Sequence, residues 1–183
     1  MSAPTLQALV PVRGDAPFLA AALHSLRAQT FIDWQATLCP LDANARDIAM
    51  RAVDGDARMQ IADTSDMAEA SALAHAADTN ACELLCVLDG DDALEPTAFA
   101  ALMDALAEHP AAGMAYSRHV LIDANGGVLG PGPLCELPYS ADALLLDFMT
   151  GPLRVLRRQA YRDAGGFASA HADASDYDLC LRL

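Results

Sequence analysis

The stretch Leu84-Leu85-Cys86-Val87-Leu88-Asp89-Gly90-Asp91-Asp92 constrains this chain more than any other. A short, wholly apolar run ends abruptly in three carboxylates with one glycine among them. A run of that length is a strand rather than a buried helix, and an unbroken apolar strand is covered on both faces. Its C-terminal end is where open α/β sheets place their ligands. Asp89, Asp91 and Asp92 repel one another there unless a positive charge lies among them. A divalent cation such as Mg²⁺ or Mn²⁺ suits the position, because both take hard oxygen ligands and share them with bound phosphate. The same residues also read as an acidic turn leading into the helix that starts near Pro96.

Around this stretch the chain alternates strands and helices. Leu6 to Val12 reads as a first strand, closed by Pro11 and Arg13-Gly14-Asp15. Asp15 is placed to cap a helix with Pro17 in its first turn, and Leu19, Ala22, Leu23 and Leu26 give that helix one apolar face. Trp34 to Leu41 is a second strand and Arg58 to Ala62 a third. Asp63-Thr64-Ser65-Asp66 opens an alanine-rich helix from Met67 to about Ala77. After Asp92, Phe99, Leu102, Met103 and Leu106 follow the i, i+3, i+4, i+7 spacing of a helix from Pro96 to Glu108. Such alternation predicts a parallel sheet layered with helices. Beyond it the pattern changes. Gly113 to Asp123 reads as one strand, Asn125-Gly126-Gly127 as a tight hairpin turn, and Gly130 to Pro133 as a loop. The second half of the sheet is therefore expected to be mixed. Ser140 is expected to cap a helix running to Phe148. A strand from Leu153 to Leu156, a short helix from Gln159 to Asp163 and a final helix from Ser175 follow.

At 183 residues the chain suits a single domain, spanning 1–183, with a sizeable core. Its net charge of −14 excludes binding of nucleic acid through a broad basic face, and all 11 basic residues are arginine. An anionic ligand needs a metal or a few local arginines. Cys39, Cys82, Cys86, Cys135 and Cys180 form no CxxC pair, which points to a reducing compartment and small buried side chains. The start of the chain lacks a signal-peptide pattern, and no apolar run is long enough to span a membrane, so a cytoplasmic location is expected.

Four stretches, in order along the chain, resemble the family 2 glycosyltransferases, whose fold is termed GT-A. Leu9-Val10-Pro11-Val12, with the following helix ending Ser25-Leu26-Arg27-Ala28-Gln29-Thr30, is similar to that family's opening strand and helix. Val87-Leu88-Asp89-Gly90-Asp91-Asp92 resembles its DxD motif. Arg157-Arg158 through Gly165-Gly166-Phe167 resembles its RR…GGF segment, and Ser175-Asp176-Tyr177-Asp178-Leu179-Cys180-Leu181-Arg182-Leu183 its EDYDLWLRL segment. The resemblance implies a three-layer α/β/α domain of GT-A type, with a mainly parallel, mixed central sheet. It implies an inverting glycosyltransferase that moves a sugar from a nucleotide-sugar donor, a UDP-sugar first among them, to a saccharide or other hydroxyl acceptor. Divalent Mn²⁺ or Mg²⁺ would assist. On this likeness Asp91 and Asp92 are metal residues, and Pro11, Val12, Asp42, Asp89 and Asp91 contact the donor. Asp176 is the catalytic base; read locally, it also suits a helix N-cap.

The chain also departs from the pattern. Pro40-Leu41 stands where the family carries an acidic pair that holds base and ribose, with Asp42 just beyond. The family's ARN on the helix before the DxD strand is an alanine-rich run here, Ser175 replaces a glutamate, and the sequence ends before the usual acceptor and lid elements. These departures keep a second reading open, that of a catalytically inactive GT-A-like binding or scaffolding domain. Two other classes fall. A haloacid-dehalogenase-type phosphotransferase needs a Thr or Val where Ala93 stands and a downstream lysine. A calcium loop needs alternating ligands ending in glutamate, which Asp89 to Glu95 does not supply.

Overall fold

The computed structural model describes residues 4–134, 136–168 and 174–183; Cys135 lies outside the described residues. Strand β1 (Leu6–Val12) shows why the sheet is two-sided. Leu6, Ala8, Val10 and Val12 join one apolar cluster, whereas Leu9 joins the opposite one. This period of two along a wholly buried strand requires a helical layer on each face. Helices α1 (Leu19–Arg27), α2 (Ala43–Ala52) and α4 (Ala98–Glu108) supply the first layer, packing Leu23, Ala49 and Phe99 with their neighbours. Helices α3 (Glu69–Asp78), α6 (Arg158–Asp163) and α7 (Ser175–Arg182) supply the second, through Leu73, Tyr161 and Leu179.

The sheet has six strands in the order β3-β2-β1-β4-β8-β5. Strands β2 (Trp34–Pro40), β3 (Met59–Ile61) and β4 (Leu84–Val87) run parallel to β1, while β8 (Arg154–Arg157) is antiparallel to both β4 and β5 (Met114–Tyr116). The expected mainly parallel, mixed sheet is the one present. From β1 the chain moves outward to β2 and β3, then returns to place β4 on the other side of β1. The C-terminal ends of β1 and β4 therefore diverge at a topological switch point, and a crevice opens between them.

Four local differences from the sequence reading have physical causes. Helix α2 stands between the second and third expected strands, where Asp42 caps it by accepting from the Ala45 N–H at 2.8 Å, and Ala45, Ile48, Ala49 and Ala52 face the core. Asp15 caps nothing, since α1 begins after Phe18 without a side-chain cap. The single strand expected from Gly113 to Asp123 splits. Its first part pairs in the main sheet as β5, and its second, β6 (Val120–Ile122), forms a separate hairpin with β7 (Val128–Pro131), which takes up part of the expected loop. Ser140 does accept from the Ala143 N–H, but the helix it caps, α5 (Ala141–Leu144), stops short of Phe148.

Buried polar groups fasten the second layer. Gln7, fully buried on β1, donates to Thr37 Oγ1 and to the Ala76 carbonyl, each at 3.0 Å, and accepts from Arg158 Nη2 at 2.8 Å. Arg158 also donates to the Ala77 and Cys82 carbonyls, so its charge sits at the C-terminal end of α3, where the helix dipole favours a cation. Gln29 does similar work in the other layer. Its Oε1 accepts from the Phe99 N–H at 2.9 Å, satisfying an orphan donor at the start of α4. Removing Arg158 strands three buried acceptors at once. Arg158→Ala is expected to destabilise the fold by about 3 kcal/mol or more, whereas Arg162→Ala, on the exposed side of the same helix, stays within about 0.5 kcal/mol. Urea unfolding of the two variants checks the contrast.

Candidate active site

At the switch point lies a cleft of about 580 Å³. One wall comes from the end of β1 and the turn after it, with Pro11, Val12, Arg13, Ala16, Pro17 and Phe18, faced by Glu69 and Leu73 of α3. Val87, Asp89, Gly90 and Asp91 at the end of β4 form the other wall, with Arg154 of β8 and Ser175 and Asp176 at the start of α7. Gly90 lets the walls meet, because a Cβ there would lie 3.2 Å from the Pro11 carbonyl oxygen.

The structure brings five of the expected site residues to this cleft, namely Pro11, Val12, Asp89, Asp91 and Asp176. Asp92 is half-buried beside it, its N–H closing a turn onto the Asp89 carbonyl at 3.1 Å. Asp42 is elsewhere. Oδ1 caps α2, and Oδ2 accepts from the Gly14 N–H at 2.9 Å, so both oxygens are held by backbone donors outside the cleft lining. Those two bonds hold its carboxyl below the usual range. Asp176 is not an N-cap: α7 begins after Ala174 with no side-chain cap, and Asp176 stands in the first turn facing the cleft.

The carboxylates of the β4 end are electrostatically uncomfortable. Asp89 opens toward the cleft mouth, but desolvation on its protein side, then the charges of Asp92, Asp91 and Asp176, raise its pKa, with Arg154 opposing. Asp92 is raised by desolvation and by Asp91, with His119 opposing. Cys86, buried on β4 behind them, has its thiol pushed up to about 12 by burial, which leaves it an inert packing group. Among the described residues no three Asp, Glu, His or Cys side chains converge to hold a metal ion by themselves. One or two carboxylates facing an open cleft is, however, the donor set with which Mg²⁺ or Mn²⁺ is bound when phosphate oxygens complete the shell. The residues present fit a shared metal site rather than a closed protein cage.

Sequence reasoning missed the cations of this cleft. Arg13 is exposed and ion-paired with Glu69. Arg154 is buried and pairs with Asp176 Oδ2 at 2.8 Å. The signal for Arg154 was a lone charge inside the apolar strand Leu153-Arg154-Val155-Leu156, which needs a partner to be buried.

The raised Asp89 has a consequence for stability. Its fold-bound proton favours folding fully at pH below 3.8, and that contribution is lost as pH rises through the raised folded value. In the absence of metal, Asp89→Asn should therefore melt close to the wild-type temperature near pH 4 and above it near pH 7. Thermal melts across that range in EDTA check this; a mutant that is equally or less stable at pH 7 contradicts the assigned strain.

No protein-family model matches the chain. It is 26% identical over 193 residues to the uncharacterized protein y4gI of Sinorhizobium fredii, covering 98% of this chain and 20% of that protein. Among solved structures, TarS 1-349 of S. aureus in complex with UDP-GlcNAc superposes with a TM-score of 0.75 at 13% identity, over 97% of this chain and 54% of that one. The mannosyltransferase PcManGT from Pyrobaculum calidifontis, in complex with GDP-Man and Mn²⁺, gives 0.66 at 16% identity, over 97% and 51%. The 4-diphosphocytidyl-2C-methyl-D-erythritol synthase from Anaerococcus prevotii gives 0.59 at 12%, over 95% and 83%. The chain thus spans about half the length of the glycosyltransferases it superposes on and a fifth of its sequence relative. Among the described residues no helix is long and apolar enough to cross a membrane. The fold of this chain is the GT-A-like fold of those glycosyltransferases, as its four ordered motifs implied.

Proposed function

We propose that this chain is the donor-binding and catalytic part of an inverting, metal-assisted glycosyltransferase that takes a nucleotide-sugar, first of all a UDP-sugar. The observation that carries the reading is the meeting of Asp89 and Asp91, from the β4 end, with Asp176, from a distant part of the sequence, in one cleft at the switch point. Solved neighbours of the same fold hold UDP-GlcNAc in one case and GDP-Man with Mn²⁺ in another, which supports the ligand class.

In this reading Pro11 and Val12 form the wall along the nucleoside, and Asp89 accepts from the ribose hydroxyls. Asp42 acts at one remove, fixing the turn at Gly14 beside that wall. Asp91, with Asp92 behind it, would hold the divalent ion, which when bound neutralises charge developing on the diphosphate. Asp176 takes the proton of the acceptor hydroxyl as that oxygen bonds to the anomeric carbon. The bond from that carbon to the diphosphate oxygen breaks, and its electron pair leaves with the nucleoside diphosphate. Attack opposite the leaving group inverts the anomeric centre. A binding-only domain is the second reading, favoured by Asp42 being committed to a helix cap, so that β2 sends no carboxylate into the cleft.

Titration calorimetry distinguishes them in two steps. UDP should bind in the submillimolar range or weaker, roughly −4 to −5 kcal/mol, and about tenfold more tightly with Mn²⁺ because phosphates complete the metal shell. Asp91→Asn should lose that enhancement; an enhancement that survives contradicts the metal assignment. Release of nucleoside diphosphate from UDP-GlcNAc or GDP-mannose, reduced about a hundredfold or more in Asp176→Asn with UDP affinity unchanged, identifies the enzyme. Metal-dependent UDP binding with no release from either donor favours the binding domain.

A further inference from the structure

Arg154 is the buried cation of the cleft, its side chain 10% exposed against 67% for Arg13. It is fixed on three sides. Its guanidinium lies over the Phe148 ring, 4.6 Å from the centroid, Nη1 donates to the Gly151 carbonyl at 2.5 Å, and Nη2 donates to Asp176 Oδ2 at 2.8 Å. Gly151 belongs to a turn that only glycine permits: φ is +64°, and a Cβ would meet the Ser117 carbonyl oxygen at 2.4 Å. The backbone is thus shaped to present the carbonyl that anchors Arg154.

The Asp176 carboxylate is steered from both sides. Oδ2 accepts from Arg154 and Oδ1 from the Tyr177 N–H at 2.8 Å, so its rotation is fixed while its remaining lone pairs are open to the cleft that both residues line. Only the Arg154 side of the pair is buried, the Asp176 side chain being 42% exposed, and a pair open to solvent on one side contributes little to stability by itself. Joining β8 to α7 needed no charge.

We infer that Arg154 is a positioning residue for Asp176, holding that carboxylate in the orientation from which it takes the acceptor's proton. The inference rests on the reading of Asp176 as the base. Arg154 acts through Asp176, since the bonds of Nη1 to the Gly151 carbonyl and of Nη2 to Asp176 Oδ2 fix the guanidinium against that carboxylate.

A double-mutant cycle tests this. Nucleoside diphosphate release from UDP-GlcNAc and GDP-mannose with Mn²⁺, water serving as acceptor, is followed in wild type, Arg154→Gln, Asp176→Asn and the double variant, with UDP affinity measured in each. Arg154→Gln should lower kcat about tenfold to a hundredfold, the cost of misplacing a reacting group, with KM and UDP affinity nearly unchanged. In the Asp176→Asn background the same substitution should cost nothing further. Arg154→Lys, which keeps the charge but not the planar fork, should recover part of kcat, and it replaces Arg154→Gln in the cycle if that variant does not fold. Equal losses in both backgrounds, or a raised KM with unchanged kcat, would overturn the positioning role while leaving Asp176 as base. Wild-type protein that releases nothing from either donor removes the base assignment and the inference with it.

Discussion

Repulsion among the carboxylates gathered at the β4 end is the constraint around which the rest of the cleft is arranged. Asp89 and Asp92 are both raised by burial and by neighbouring carboxylates, so the folded chain holds negative charge at some cost. The core meets that cost, with β1 buried on both faces and two helical layers closing over it. A site built this way is poised for a cation, and a diphosphate can enter an acidic cleft if it brings or finds one. The two cations among the described lining residues, Arg13 and Arg154, are already paired with Glu69 and Asp176. Neither is free to take the whole charge of a diphosphate, which is the physical case for a metal in the proposed reaction.

Much of this was legible in the sequence, for reasons that can be named. The apolar run ending in Asp89-Gly90-Asp91-Asp92 marks a buried strand, and the strand's C-terminal end lies at a cleft as expected. The parallel half of the sheet followed from strand–helix alternation, because right-handed crossovers leave few arrangements. Helix α2 is hard to read from the sequence because its apolar positions are mostly alanine, and its cap, Asp42, stands where the family resemblance implies a donor contact. The break between β5 and β6 was invisible because both halves have strand-like composition; only the sheet edge decides where pairing ends.

What the sequence could not supply was partnership across long separations. Arg158 reads as half of a basic doublet, yet it is a buried clamp on Gln7 and the end of α3. Arg182, within the last motif, donates to the Ala164 and Gly166 carbonyls, so the GGF turn and the final helix hold each other. Arg154 belongs to no motif; its place inside an apolar strand signals burial, but its partners Gly151 and Asp176 emerge only from the structure. The motif residues thus divide into those that support the cleft and those that face it, a division that spacing alone does not reveal.

In the proposed reaction a nucleoside diphosphate and a divalent ion share the β1–β4 switch point. Anomalous diffraction from crystals soaked with UDP and Mn²⁺ tests this directly. One Mn²⁺ peak is expected within coordination distance of both the Asp91 carboxylate and the diphosphate, with the nucleoside along Pro11 and Val12. UDP bound elsewhere, or seated in the cleft with no Mn²⁺ beside Asp91, would contradict it.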